Sequence, residues 1–253
     1  MIDHGVSGTL SDALVLVAGA TGTVGRAVCA AVSSAGGRVL AQYRGNEDAA
    51  RALRSAGART VRADLSTEEG HRRLAEAVTD VGGVDALVNT VHTASATARV
   101  GDLPMDVLHA HLDGVALHAR LVQHVLPGMR TRSYGRVVFV SGALAVRPAE
   151  GNAAYGAAKA AAETLTRYVA WEEGASGVTA NIVAPGRVAD PDVPYSDLAP
   201  EWAALAEALL PRLALRRFPS PDEVAQAVLG FLLPSASGLT GQTVWVTGGE
   251  SLR

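Results

Sequence analysis

Short runs of Val, Leu, Ile and Ala recur along the chain, each too continuous to leave one face to water. They are Ala13–Val17, Arg38–Gln42, Arg59–Arg62, Ala86–Asn89, Arg136–Val140, Thr179–Val183 and Thr243–Thr247. A strand buried on one face alternates apolar with polar residues. A run that is apolar almost throughout suits a parallel strand covered by helices on both faces. The longer segments between these runs predict helices near 24–35, 46–56, 67–81, 104–129, 153–175 and 221–233. Strand and helix alternating from end to end predict an α/β fold, a doubly wound parallel sheet of about seven strands with helices on both faces. No Pro/Gly/Ser-rich linker or internal repeat divides the 253 residues, so one domain spanning 1–253 is expected, with 1–12 as an N-terminal extension. The stretch 187–215 begins as an irregular Pro- and Asp-rich segment and is expected to be a substrate lid. Trp202, Leu205 and Leu209 would line it, and Arg187 and Tyr195 are placed either on a ligand or on the surface.

Composition narrows the class. Hydrophobic residues make up 48% and charged residues 19%, ample for a buried core, while aromatics at 4% favour helix-on-sheet packing over a β-sandwich. A net charge of −3 gives no electrostatic reason to expect nucleic acid or an anionic membrane as partner. The one cysteine, Cys29, excludes an internal disulfide and a cysteine-based zinc site, and its apolar helical surroundings mark a structural thiol. The acidic N-terminus lacks the basic start of a signal peptide, and the first apolar run is too short to span a bilayer, so a soluble cytoplasmic protein is expected.

The first strand runs into Gly19-Ala-Thr-Gly22-Thr-Val-Gly25 and then a helix. Glycines let the backbone approach a pyrophosphate, and the helix N-terminus offers free N–H groups and a favourable dipole. The second strand leads into Tyr43-Arg44, with no acid to take a ribose 2′-hydroxyl. A guanidinium there suits a 2′-phosphate and so NADP(H), the alternative being a solvated surface arginine. Asp64-Leu65, after the third strand, is placed to meet an adenine edge or, alternatively, to cap the next helix, a role Ser66 also suits.

These motifs, with Asp85-Ala-Leu-Val-Asn89, Tyr155-Gly-Ala-Ala-Lys159, Asn181-Ile-Val-Ala-Pro185-Gly186, Arg216–Ala225, Leu239-Thr-Gly-Gln242 and Thr247-Gly-Gly249, follow one another as in the short-chain dehydrogenase/reductase family. The chain resembles that family from about Leu14 to its end, and most of all the ketoacyl-carrier-protein reductase and polyketide ketoreductase branch. The resemblance implies a single-domain Rossmann fold. It assigns the cofactor to Gly19, Thr21, Gly22, Thr23, Val24, Arg44, Asp64, Leu65, Asn89, Tyr155, Lys159, Pro185, Gly186 and Val188. It also implies that Tyr155 exchanges a proton with a ketone oxygen. Tyr155 and Lys159, four apart on a helix, share a face, and the ammonium, aided by oxidised nicotinamide, is expected to lower the phenol's pKa toward working pH.

Three departures bear on catalysis. The family's carbonyl-orienting serine sits thirteen residues before the tyrosine, where this chain has Gly142. Ser141 replaces it only if the intervening loop holds one extra residue, since neighbours at a strand end face opposite ways; otherwise its hydroxyl bonds local backbone. His111 takes the place of the family's water-holding asparagine, as relay, as acid/base, or as a plain helix residue like His109, His118 and His124. No carboxylate or thiol pattern accompanies these histidines, so no metal is expected. Finally, the Asn-Asn-Ala-Gly turn reads Asn89-Thr-Val-His92, and the glycine loop carries Gly22 one place early, followed by Thr23.

The leading expectation is therefore NADPH-dependent reduction of a small-molecule or carrier-bound ketone, with a polyketide or β-ketoacyl type as the candidate substrate. Two alternatives remain open: a non-redox dehydratase, isomerase or cyclase using Tyr155, Lys159 and His111, and a catalytically impaired subunit beside an active paralogue. The resemblance also implies a homotetramer or homodimer formed through helices 104–129 and 153–175, where Ala157, Ala158, Ala161, Ala162 and Leu165 suit close helix contact or the core equally.

Overall fold

A computed structural model describes residues 9–93, 96–189 and 200–250, with side chains from 203 onward in the last stretch. Seven strands form one sheet: β1 (Leu14–Ala18), β2 (Arg38–Tyr43), β3 (Arg59–Arg62), β4 (Ala86–Asn89), β5 (Gly135–Val140), β6 (Val178–Pro185) and β7 (Thr243–Val246). Every pairing is parallel, in the order β3-β2-β1-β4-β5-β6-β7. The order reverses between β1 and β4, and a crevice opens beyond the strand ends at such a switch point.

The helices are α1 (Thr23–Ser34), α2 (Glu47–Ser55), α3 (Glu68–Asp80), α4 (Met105–Arg132), α5 (Ala153–Glu173), α6 (Pro200–Leu209) and α7 (Pro221–Leu232). Along β1 the pleat sends Val15 and Val17 to one face, where they meet Val28 and Val32 of α1, Leu53 of α2 and Val228 of α7. Leu14, Leu16 and Ala18 go to the other, against Leu74 of α3, Leu121 and Val125 of α4 and Ala170 of α5. Both faces are thus covered, which is why the strand runs are apolar at nearly every position.

Two sequence expectations are refined. Helix α4 continues to Arg132 with Pro127 inside it, and α6 adds a helix where only a lid was expected. Leu209 packs against the small cluster of Ala206, Leu213 and Phe218; Tyr195 and the side chain of Trp202 lie outside the described residues. Cys29 is buried and its thiol is pushed up to about 12 by burial, fitting the structural role expected of it. Among the described residues, no helix is long and apolar enough to cross a membrane.

Candidate active site

At the carboxyl end of β1 the chain turns at Gly19, whose φ of +78° is open to glycine without strain. Gly25, one turn into α1, has even less room, because a Cβ there would stand 2.3 Å from the Gly19 carbonyl oxygen. Gly22 caps α1 without any side-chain hydrogen bond, so the N–H groups of Thr23 and Val24 in the first turn are left for an anion. Thr23 is exposed, while Val24 leans onto the core beneath. Beside this turn lies a cleft of about 620 Å³ whose lining includes Gly19, Thr21, Gly22, Arg44, Asp64 and Leu65. A glycine cradle and an uncapped helix start at the switch-point crevice fit a dinucleotide pyrophosphate.

Gln42 holds three strands together under the cleft: its Oε1 accepts from Gly19 N–H at 2.9 Å and its Nε2 donates to the Ala63 carbonyl at 2.6 Å. Arg44 follows on the rim, exposed, and forms no ion pair among the described residues. Asp64 Oδ1 accepts from the Ser66 hydroxyl at 2.7 Å and the Ser66 N–H at 3.0 Å. These bonds, with Arg44 as a smaller contribution, hold its carboxyl below the usual range. Neither Asp64 nor Ser66 caps α3; Thr67 does, accepting from Gly70 N–H.

The turn after β4 is braced from below. Asn89 is buried; its Oδ1 accepts from Val91 N–H at 3.0 Å and its amide meets His118 Nδ1 at 3.1 Å. His118 Nε2 meets Thr166 Oγ1 at 3.0 Å, and that hydroxyl donates to the Ala162 carbonyl. Because the threonine proton is committed, Nε2 carries the histidine proton and Nδ1 accepts from Asn89. Burial, with Lys159 adding to it, pulls His118 down to about 3. Asn89 therefore fixes the turn, and Val91, His92 and Thr93 line the cleft instead of it.

Tyr155 and Lys159 do share one face of α5. Lys159 Nζ donates to the Val140 carbonyl at 3.0 Å and lies 4.8 Å above the Phe139 ring and 5.8 Å from the Tyr155 ring centre. Burial pulls Lys159 down to about 8, with Glu163 acting against it. Burial alone pushes Tyr155 up to about 12, opposite to the expected lowering. The ammonium is turned to a backbone carbonyl, and desolvation of the phenolate dominates.

The structure gives the Ser141 hydroxyl a partner within the fold. The serine is buried, and its hydroxyl donates to Glu163 Oε1 at 2.7 Å, while Glu163 Oε2 takes Arg167 at 2.8 Å. Gly142 is the residue facing Tyr155, since a Cβ there would lie 2.5 Å from the phenolic oxygen. The pleat turns Ser141 the other way, and the loop holds no extra residue to reverse it.

His111 is buried, its Nε2 is 3.0 Å from the Ala96 carbonyl, and its ring stands edge-on to Tyr155 at 6.2 Å. His111, Tyr155, Lys159 and Phe139 enclose a recess of about 20 Å³, volume enough for one water. Pro185 ends β6 beside the end of β5, Gly186 N–H is held by the Val246 carbonyl at 2.9 Å, and Val188 packs on the core. These three do not line the described cleft.

His92 is the neighbour that sequence reasoning passed over, having noted it only as a departure from the family's Asn-Asn-Ala-Gly turn. Its ring meets Tyr155 edge-on at 5.5 Å and lies 6.3 Å from His111. The available signal was a titratable ring at a turn expected to adjoin the cofactor. Arg120 and Asp113 of α4 also reach the cleft unforeseen.

A family profile described as enoyl-(acyl carrier protein) reductase matches residues 19–251. The chain is 31% identical to an acetoacetyl-CoA reductase of Shinella zoogloeoides, over 94% of this chain and 98% of that one. It is 32% identical to a cis-4-hydroxycyclohexanecarboxylate dehydrogenase of Sinomonas cyclohexanicum, covering 94% and 96% respectively. Among solved structures, an oxidoreductase of the short-chain dehydrogenase/reductase family from Burkholderia thailandensis superposes with a TM-score of 0.80 at 32% identity, covering 94% of this chain and 92% of that one. A dehalogenation enzyme superposes with a TM-score of 0.83 at 28% identity, covering 95% and 98%.

Proposed function

The chain belongs to the short-chain dehydrogenase/reductase family, and on that footing we propose that it reduces a ketone to an alcohol with NADPH, Tyr155 being the proton donor. The single observation that carries this is the pairing of the glycine-cradled cleft with Tyr155 and Lys159 across the β4 turn. When bound, the dihydronicotinamide supplies the hydride. Thr23 and Val24 N–H groups hold the pyrophosphate, and exposed Arg44 meets a 2′-phosphate. Tyr155, neutral at working pH with its pKa near 12, gives its proton to the carbonyl oxygen as the carbon is reduced. Lys159 holds the site's positive charge beside it, and His111 faces the water-sized recess through which a proton returns.

Acetoacetyl-CoA reductase relatives support a β-ketoacyl substrate, small or carrier-bound. Association through α4 and α5 is the matching assembly: Ala158 and Ala162 are core, but Leu112, Tyr168 and Trp171 stay exposed on these helices.

Titration of the purified protein with NADPH and NADH, followed by nicotinamide fluorescence, tests the reading. Saturable binding that favours NADPH, with turnover of acetoacetyl-CoA, is expected. No binding of either nucleotide overturns it. A second reading, acid–base chemistry without redox, draws on Gly142, which places no hydroxyl opposite Tyr155. Turnover of an alcohol or halohydrin that persists after nucleotide is stripped would favour it.

A further inference from the structure

We propose that His92 is a catalytic residue, donating a ring N–H hydrogen bond to the substrate oxygen that Tyr155 protonates, a post that Gly142 and Ser141 leave vacant. The inference rests on the ketone-reductase reading above and deepens it.

The site needs a second donor. A carbonyl oxygen gaining negative charge is stabilised by fixed donors aimed at it, and removal of one such donor costs about 10²- to 10³-fold in rate. Gly142 has no side chain and Ser141 gives its proton to Glu163. Lys159 is directed at the Val140 carbonyl, and His111 is engaged by the Ala96 carbonyl.

His92 meets the requirements of place, freedom and protonation. Its ring touches Tyr155 edge-on at 5.5 Å, and it lines both the nucleotide cleft and the recess at Tyr155 and Lys159. It therefore stands where nucleotide and substrate must meet. The residue keeps part of its surface open to solvent although its ring is partly desolvated, and neither ring nitrogen has a hydrogen-bond partner among the described residues. Its backbone is not in the left-handed region, so the position carries a side chain without strain. The facing charges are Lys159 of α5 and His111 of α4. Burial first, then these two, lower its pKa below the ordinary histidine value, so the ring is neutral at pH 7 with one N–H to donate.

No bond to His92 is made or broken. The carbonyl carbon receives the hydride, the oxygen receives the Tyr155 proton, and the imidazole N–H shortens its hydrogen bond as charge builds on that oxygen.

The test compares wild type with His92→Gly and His92→Gln, using NADPH and acetoacetyl-CoA. His92→Gly is expected to lower kcat about 10²-fold while leaving the NADPH Kd within about threefold. His92→Gln, whose amide still donates, should recover at least a tenth of the wild-type rate. If His92→Gly binds NADPH more tightly and turns over faster, the ring is an obstruction and the proposal is overturned. An independent readout is the ring ¹⁵N spectrum, with His92 assigned by its loss in the variants, during titration with acetoacetyl-CoA and NADP⁺. The His92 N–H should move downfield, and an unmoved signal in a saturated complex overturns the proposal even if turnover is absent. Wild type that binds no nucleotide and reduces no ketone sinks the reductase reading instead, and the ¹⁵N response to acetoacetyl-CoA alone then decides for or against His92.

Discussion

The phenolic oxygen of Tyr155 occupies the space in which a side chain at Gly142 would begin, 2.5 Å from where its Cβ would be built. Methyl and oxygen cannot share that distance, so Gly142→Ala must push the hydroxyl aside. A displacement of about 1 Å at a reacting group costs on the order of 10²-fold. Gly142→Ala is predicted to lower kcat by about that factor, with the NADPH Kd unchanged. Steady-state kinetics and fluorescence titration check both halves, and an unaltered kcat would show that Tyr155 works from another position.

Ser141→Ala should behave in the opposite way. Its hydroxyl is tied to Glu163, itself buried and paired with Arg167. Losing one bond to a buried carboxylate costs about 1–3 kcal/mol, so stability should fall while kcat stays within about threefold. Urea denaturation alongside kinetics separates the two effects. A large loss of kcat in a folded variant would return Ser141 to the substrate.

The contrast between these neighbours marks the limit of what sequence shows. All seven strands were legible because burial on both faces leaves continuous apolar runs, and six of the helices because their spacing repeats. That Tyr155 and Lys159 share a face was legible from their spacing on a helix, while their assignment to a site came from the family resemblance. Which way Ser141 points hung on the length of the loop to Tyr155, and its partner Glu163 lies twenty-two residues on, beyond the reach of local pattern. His92 was illegible as chemistry for the same reason: only packing of the β4 turn against α5 brings it to Tyr155. Arg120 reaches the cleft only through the rotation of α4 about its axis, which periodicity fixes to within a residue or so.

Arg44→Ser tests the proposed reading of a 2′-phosphate. A charge-assisted contact to phosphate is worth about 1.5–3 kcal/mol, equivalent to about 10- to 100-fold in Kd. NADPH affinity should drop by that amount and NADH affinity should stay level. Equal losses for both nucleotides would mean that Arg44 does not sense the 2′-position.

The pH profile follows from Lys159. Reduction needs a protonated phenol, which Tyr155 keeps throughout the working range because its pKa is near 12. Lys159, near 8, is the group that titrates. In the free enzyme, kcat/KM for ketone reduction should be level below about pH 7.5 and decline above about pH 8 as the ammonium is lost. Lys159→Arg, charged at all these values, should keep whatever activity it has level through that range. A wild-type profile flat to about pH 10 would remove Lys159's charge from the mechanism.

Stability should depend on pH through His118. In the folded protein burial holds its pKa near 3, against 6.5 when exposed. The unfolded chain therefore binds a proton below about pH 6.5 that the folded chain refuses, and unfolding becomes easier as pH falls. The contribution is fully present above pH 6.5 and is lost progressively between about 6.5 and 3, at up to about 1.4 kcal/mol per pH unit. His71, His92 and His124 are lowered too and add to the slope. His118→Gln removes the titration yet offers an amide to Asn89 and Thr166. Urea midpoints measured from pH 7 to pH 5 should fall less steeply for the variant, by the equivalent of one proton, although it starts less stable. Equal slopes would mean that His118 takes up its proton in the fold, and that the Asn89–His118–Thr166 chain does not hold the imidazole neutral beneath the β4 turn.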